Sequence, residues 1–273
     1  MIKAKKSLGQ NFLIDQNIID KIINTVEIKD KSILEIGPGT GNLTKNILKK
    51  KPKKLIVIEK DNDLAQSLKN LEDNIKIIND DVLKVDENEL DVDVLTVFGN
   101  LPYNISTEIL CNWIVNIKNK NFWFDNLVLM FQKEVAERII AKFNTKNYGR
   151  LSILSNWKLE IEKICDVKPS SFFPKPKIDS SVLLLKPKIN FFPLKHSKSL
   201  EKLTRVFFMH RRKMLKKSYN LLFNGNHNVA NKLNIDLSLR PQNLDFETYY
   251  KLSEEFTIYE VKLSTWLRMY SIS

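Results

Sequence analysis

Only 2 cysteines occur in the 273 residues, Cys111 and Cys165. They lie far apart and form no CxxC, which excludes a disulfide framework and a thiolate metal site and suits a reducing compartment such as the cytoplasm. The 3 histidines, His196, His210 and His227, have no metal-ligand spacing, so no metal is expected. No apolar run approaches the roughly 18 residues of a membrane span, so no membrane is expected as a partner. The basic start, MIKAKKSLGQNF, lacks the apolar stretch of a secretory signal, and Asp15 and Asp20 come early for a mitochondrial presequence. Arginine is scarce too, with 7 against 37 lysines.

What the chain has is enough apolar residues, 43%, to build a core, and a formal net charge of +12. A basic surface suits a polyanion, because neutralised phosphates release counterions. The lysine bias by itself also fits a compositional drift unrelated to function. The excess is uneven: residues 188–273 carry 15 basic and 7 acidic side chains, net +8, and residues 1–187 are net +4.

Short, apolar, β-branched runs alternate with amphipathic ones in the first two thirds. The expected strands are residues 32–37, 54–59, 74–79, 93–99, 126–131, 160–167 and 180–186. This order predicts an α/β fold with an open, mostly parallel sheet covered by helices. The last two strands have no helix between them, so one of them is expected to be antiparallel. Before the first strand, DQNIIDKIINTV has helical spacing, with Asp15 as N-cap. Residues 186–197 hold two prolines and form a linker, beyond which every periodic stretch is helical. The expected division is a Rossmann-like domain, 1–190, and a small all-helical C-terminal domain, 191–273.

The first strand ends in EIGPGTGN, with Gly37, Gly39 and Gly41 where a strand becomes a helix. Glycine lets a ligand approach the backbone closely, and a helix N-terminus offers free N–H groups. Glu59 ends the second strand, where an acid can accept both hydroxyls of a ribose. A dinucleotide fingerprint needs its third glycine one position later, where Asn42 stands. S-adenosylmethionine has no phosphate to cradle and fits the loop better. Asp81, after the third strand, can accept from the adenine amine of the same cofactor.

The fourth strand runs into FGNLPYNIS, residues 98–106. An exocyclic adenine amine is a poor nucleophile, because its lone pair is delocalised into the ring. Two acceptors for its N–H groups draw that lone pair out of conjugation. Asn100 offers a side-chain oxygen and Leu101 a backbone carbonyl; Pro102 fixes φ, and Tyr103 can stack on the base. A base reached this way has left its stack. The bland alternative is an Asx-Pro turn at a strand end.

These residues closely resemble the KsgA family, the bacterial small-subunit rRNA adenine N6,N6-dimethyltransferases. SLGQNFLID, LEIGPGTGNLT, FGNLPYNIS, QKEVAERI, YGRLSIL, PSSFFPKPKIDSSV and FMHRRKMLKKS all match its motifs, with His210 where glutamine is usual. The resemblance covers nearly the whole chain. It implies a Rossmann-like S-adenosylmethionine-dependent methyltransferase domain, with Asn11, Leu13, Gly37, Glu59, Asp81 and Asn100 at the cofactor. It also implies that Tyr103 and Phe172 sandwich the flipped adenine. The implied target is two adjacent adenosines near the 3′ end of 16S rRNA; the expected partner is that RNA or a precursor of the small subunit, and a monomer is expected.

Several residues carry a second reading. Phe172 is equally suited to anchoring a proline-rich turn. Arg211, Arg212 and Lys213 form the densest basic run, on what reads as a helix packed through Val206, Phe207, Met214 and Leu215. The run is expected to meet RNA phosphate, although a basic helix face is often only solvated. Trp113, Trp123, Trp157 and Cys111 read as packing residues. A 23S rRNA dimethyltransferase, an NAD-dependent dehydrogenase and a non-catalytic assembly factor are the competing functions.

Overall fold

The computed structural model describes residues 4–5, 8–71, 75–86, 90, 92, 94–117 and 121–270. Asn74 and Asp93, expected at the starts of two strands, lie outside the described residues. The chain forms two compact units. The first comprises Met1–Asn112, Ile117–Glu137 and Leu159–Lys188; the second comprises Trp113–Asn116, Arg138–Lys158 and Ile189–Ser273.

The first unit opens with a two-residue strand, β1 (Phe12–Leu13), and helix α1 (Gln16–Ile23). Asp15 caps α1, its carboxylate accepting from the backbone N–H groups of Asn17 and Ile18 at 3.0 and 3.4 Å. The apolar stripe predicted for this helix buries Ile19, Ile22 and Ile23. A large sheet follows: β2 (Ser32–Ile36), β3 (Lys54–Ile58), β4 (Ile75–Ile78), β5 (Leu95–Asn100), β6 (Phe124–Gln132), β7 (Leu159–Val167) and, after the short β8 (Phe172–Phe173), β9 (Ser180–Pro187). Helices α2 (Asn42–Lys49), α3 (Asn62–Leu68) and α4 (Ser106–Asn116) intervene.

The strand order is β4-β3-β2-β5-β6-β9-β7. From β4 to β6 all pairs are parallel, and β9 lies antiparallel to both β6 and β7. The chain winds outward from β2 to β4 and then returns to lay β5 on the other side of β2. That reversal leaves a crevice at the carboxyl ends of β2 and β5, where such sheets bind ligands. Ile36 and Gly99, paired across those two strands, mark it. Ile33, Val57, Phe98 and Val128, from four adjacent strands, belong to one buried cluster with Ile19 and Ile47 of the covering helices.

The second unit differs from the single cut expected near residue 190. It holds α7 (Ser197–Met209), α8 (Leu215–Phe223), α9 (Asn228–Lys232) and α10 (Phe246–Tyr270), but also α6 (Arg150–Lys158), which follows α5 (Lys133–Ile139). The tie is polar as well as apolar. Tyr148 Oη donates to the Leu244 carbonyl at 2.8 Å, Tyr250 Oη to Ile153 at 3.2 Å, and Ser197 Oγ to Val115 at 2.7 Å. The Lys158 ammonium is buried, donates to the Ile114 carbonyl at 2.9 Å and stands 3.9 Å from the Trp157 ring centre.

Arg211, Arg212 and Lys213 are not on a helix. They form the turn between α7 and α8. Phe207 and Leu215 are buried beside it as expected, but Met214 is exposed. The Arg211 guanidinium donates to the Lys146 carbonyl, whereas Arg212 and Lys213 are exposed.

Candidate active site

A cleft at the carboxyl edge of the sheet is lined by Asn11, Leu13, Gly37, Glu59, Asp81, Asn100, Leu101, Pro102 and Tyr103. These residues come from five separate stretches of chain, brought together by the strand reversal. Among the described residues, no group of three or more His, Cys, Asp or Glu side chains is arranged to hold a metal ion.

The glycine loop needs its glycines. Gly37, Gly39 and Gly41 all have positive φ, at 64, 59 and 77°. A Cβ on Gly39 would also lie 2.7 Å from the Phe12 ring. Glu59 is buried, and both carboxylate oxygens already accept backbone N–H groups, from Gly39 at 3.1 Å and Asp61 at 2.9 Å. A carboxylate has about four acceptor positions, so each oxygen keeps one for a ligand hydroxyl. Burial pushes the Glu59 carboxyl up, and the backbone N–H groups of Asp61, Gly39 and Lys60 offset part of that. Asp81 accepts from Lys60 Nζ at 2.8 Å and from the Leu83 N–H at 3.1 Å. The Lys60 ammonium holds its carboxyl below the usual range, so it stays an acceptor.

Asn100 ends β5, and its Nδ2 donates to the Asn11 carbonyl at 2.8 Å. That bond assigns the amide: the nitrogen is committed, and Oδ1 remains to accept. The Pro102 carbonyl accepts from the N–H groups of Ile105 and Ser106, at 3.1 and 3.0 Å, and so fixes where the loop becomes α4. Tyr103 is half-buried, with its hydroxyl 2.5 Å from Ser180 Oγ, which pins the ring against the cleft.

Phe172 is the exception. It was expected on the target base, but it is 1% exposed, packs in the sheet's core cluster with Leu13 and Val182, and is absent from the cleft lining. The cause is register. β1 and β8 pair antiparallel, Phe12 with Phe173 and Leu13 with Phe172. Alternation then turns Leu13 and Phe172 inward together and Phe173 outward, to 64% exposure.

Four residues escaped the sequence reading: Lys5, Gln10, Asp61 and Glu35. Gln10 Nε2 and Lys5 Nζ both reach Asp61, at 2.9 and 2.7 Å, and hold the N-terminal segment that carries Asn11. Burial would raise the Asp61 carboxyl, but Lys5 and Gln10 outweigh it and hold it low. Glu35, beneath the glycine loop, lines the cleft at 2% exposure, and its Oε2 has no hydrogen-bond partner. Burial, reinforced by the Glu59 charge, pushes its carboxyl from 4.5 up to about 8. The only signal for it was an acid inside an otherwise apolar strand.

A pH prediction follows for Glu35. The folded protein keeps a proton there that the unfolded chain releases above about pH 4.5. The stability this contributes is complete below that pH and is lost as pH rises to about 8. Glu35→Gln cannot ionise, so its stability margin over wild type should grow with pH across the window, by at most about 1.4 kcal/mol per pH unit. Urea midpoints at about pH 5 and about pH 8 measure it; equal margins at both would mean that Glu35 is ionised throughout.

The residues present fit S-adenosylmethionine. The cleft brings a buried acid, Glu59, and a second carboxylate, Asp81, to a loop with three positive-φ glycines. The model of the family described as ribosomal RNA adenine dimethylase matches residues 1–257. A curated protein of Pelagibacter ubique, named ribosomal RNA small subunit methyltransferase A, is 64% identical over 256 residues, covering 93% of this chain and 97% of its own. A protein of the same name from a Wolbachia of Drosophila simulans is 42% identical, covering 93% of both chains. Among solved structures, a dimethyladenosine transferase from Plasmodium falciparum superposes with a TM-score of 0.76 at 30% identity, over 91% of this chain and 98% of that one. A 23S rRNA methyltransferase shares the fold, with a TM-score of 0.64 at 23% identity over 90% of this chain and 100% of that one. The chain belongs to the ribosomal RNA adenine dimethylase family and is an S-adenosylmethionine-dependent methyltransferase.

Proposed function

We propose that this chain dimethylates the N6 amines of two adjacent adenosines near the 3′ end of 16S rRNA. It acts in the cytoplasm, as a monomer, on a precursor of the small ribosomal subunit, and takes part in that subunit's maturation. The observation that carries the reading is the Asn100 amide, clamped through its nitrogen so that its oxygen is left to accept, in a residue that lines the cleft with Leu101 and Tyr103.

When bound, S-adenosylmethionine supplies an electrophilic methyl group. The chain's own residues prepare the nucleophile. Asn100 Oδ1 and the Leu101 carbonyl accept the two N–H bonds of the target amine and aim its lone pair out of the ring plane. Tyr103, pinned to Ser180, holds the face of the base. Glu59, Asp81 and the glycine loop hold the donor. No side chain has to become a covalent intermediate, so the rate gain is positioning and electrostatic preorganisation. Phe172, expected to complete a sandwich, is buried in the core cluster.

The deciding experiment incubates small and large ribosomal subunits from a strain lacking this activity with labelled S-adenosylmethionine and maps the label. Dimethyladenosine at two adjacent sites in 16S rRNA is expected. Label confined to 23S rRNA, or no label at all, would overturn the reading.

The basic turn has its own test. Replacing exposed Arg212 and Lys213 with alanine should weaken subunit binding and flatten its salt dependence, with cofactor affinity unchanged. Two lost phosphate contacts would lower the slope of log K against log salt by roughly 1.4–1.8. An unaltered slope would make the turn a solvated surface.

A further inference from the structure

Phe173 is 64% exposed beside an active site whose neighbouring aromatic, Phe12, is only 9% exposed. The two are directly paired in the β1–β8 ribbon, and directly opposed residues of an antiparallel pair stand on one face. Phe12 and Leu13 both line the cleft, so the ribbon borders it, and at Phe173 the Phe12 face reaches solvent. Ile14, two residues on and 52% exposed, adds to it. Two and four positions after Phe173 come Lys175 and Lys177, both exposed and neither with an ion-pair partner among the described residues. Lys168, by contrast, is paired with Asp179 at 2.7 Å.

A single exposed phenylalanine needs no explanation. One that borders a nucleotide-modifying cleft, with two uncommitted cations beside it, has the composition of a single-strand binding platform, in which a ring takes a base and lysines take the flanking phosphates. A target adenosine taken into the cleft leaves its chain neighbour unstacked on one side. We propose that Phe173 stacks on the base next to the target adenosine, with Lys175 and Lys177 on the backbone phosphates, so that this patch selects an unpaired strand. The inference rests on the RNA-methylating reading above. A second occupant, another copy of this chain, would need a wide apolar face, and the lysines make the patch unsuitable for one.

The test is steady-state methylation of undermethylated small subunits by wild type, Phe173→Ala, Phe173→Leu and Phe173→Trp. Phe173→Ala should raise KM for the subunit about tenfold, which equals about 1.4 kcal/mol and lies within the range for one base–aromatic stack. Turnover and calorimetric affinity for S-adenosylmethionine should stay within about twofold. Phe173→Trp should restore KM, and Phe173→Leu, apolar but without a π face, should behave as alanine does. A wild-type KM in the alanine variant, full restoration by leucine, or a fall in turnover alone would overturn the proposal. Wild-type protein that methylates no rRNA would instead overturn the underlying reading. Melting curves of all four proteins should coincide within a few degrees; a large drop for alanine would assign Phe173 to packing and also count against the proposal.

Discussion

Asn100→Ala should leave the protein folded and able to bind small subunits, yet lower the single-turnover rate of methyl transfer by about 10²–10³-fold, the usual cost of losing one preorganised polar contact at a reacting centre. Leu101 still offers its carbonyl in this variant, but one acceptor leaves the amine free to swing, and the lone pair is no longer aimed. The substitution also removes the 2.8 Å bond to the Asn11 carbonyl, which loosens the N-terminal segment that lines the cleft. Saturating S-adenosylmethionine and an independent measurement of subunit binding separate that indirect effect from the chemical one. A variant that binds and methylates within a few-fold of wild type would reduce Asn100 to a strand-end turn residue.

Glu59→Ala should weaken S-adenosylmethionine binding by about ten- to a hundredfold in calorimetry, the worth of hydrogen bonds to a charged acceptor, roughly 1.5–3 kcal/mol. The geometry adds a sharper expectation for Glu59→Gln. Both carboxylate oxygens accept backbone N–H groups, so a glutamine must turn its NH₂ toward either Gly39 or Asp61, donor against donor. The conservative change should therefore cost nearly as much as alanine. A glutamine variant with wild-type affinity would show that only one oxygen matters and that the loop has room to turn.

These expectations were partly visible in the chain alone. Short β-branched runs located the strands of the large sheet to within about two residues, because strands buried on both faces have no other composition open to them. The crowding of Gly37, Gly39 and Gly41 at a strand end, and an acid at the end of the next strand, pointed to the cofactor before any fold was known. The antiparallel member of the last pair of strands, β9, sits between β6 and β7, and only hydrogen-bond pairing could say so.

What local pattern determined was thus the elements, the glycine loop and the FGNLPY turn, whose chemistry is carried by neighbours in sequence. What the tertiary structure decided depends on partners far away. Whether Phe172 or Phe173 faces water was set by a ribbon pairing them with Leu13 and Phe12, some 160 positions earlier; a shift of one residue would exchange them. Glu35 became a buried, proton-holding acid because helices and a second acid close over β2. Helix α6 joined the second unit because Ser152, Ile153, Leu154, Ser155, Trp157 and Lys158 are all buried, which leaves no polar face for a periodicity argument to detect. In each case the deciding free energy is burial against a distant segment, and spacing along the chain does not record which segment that is.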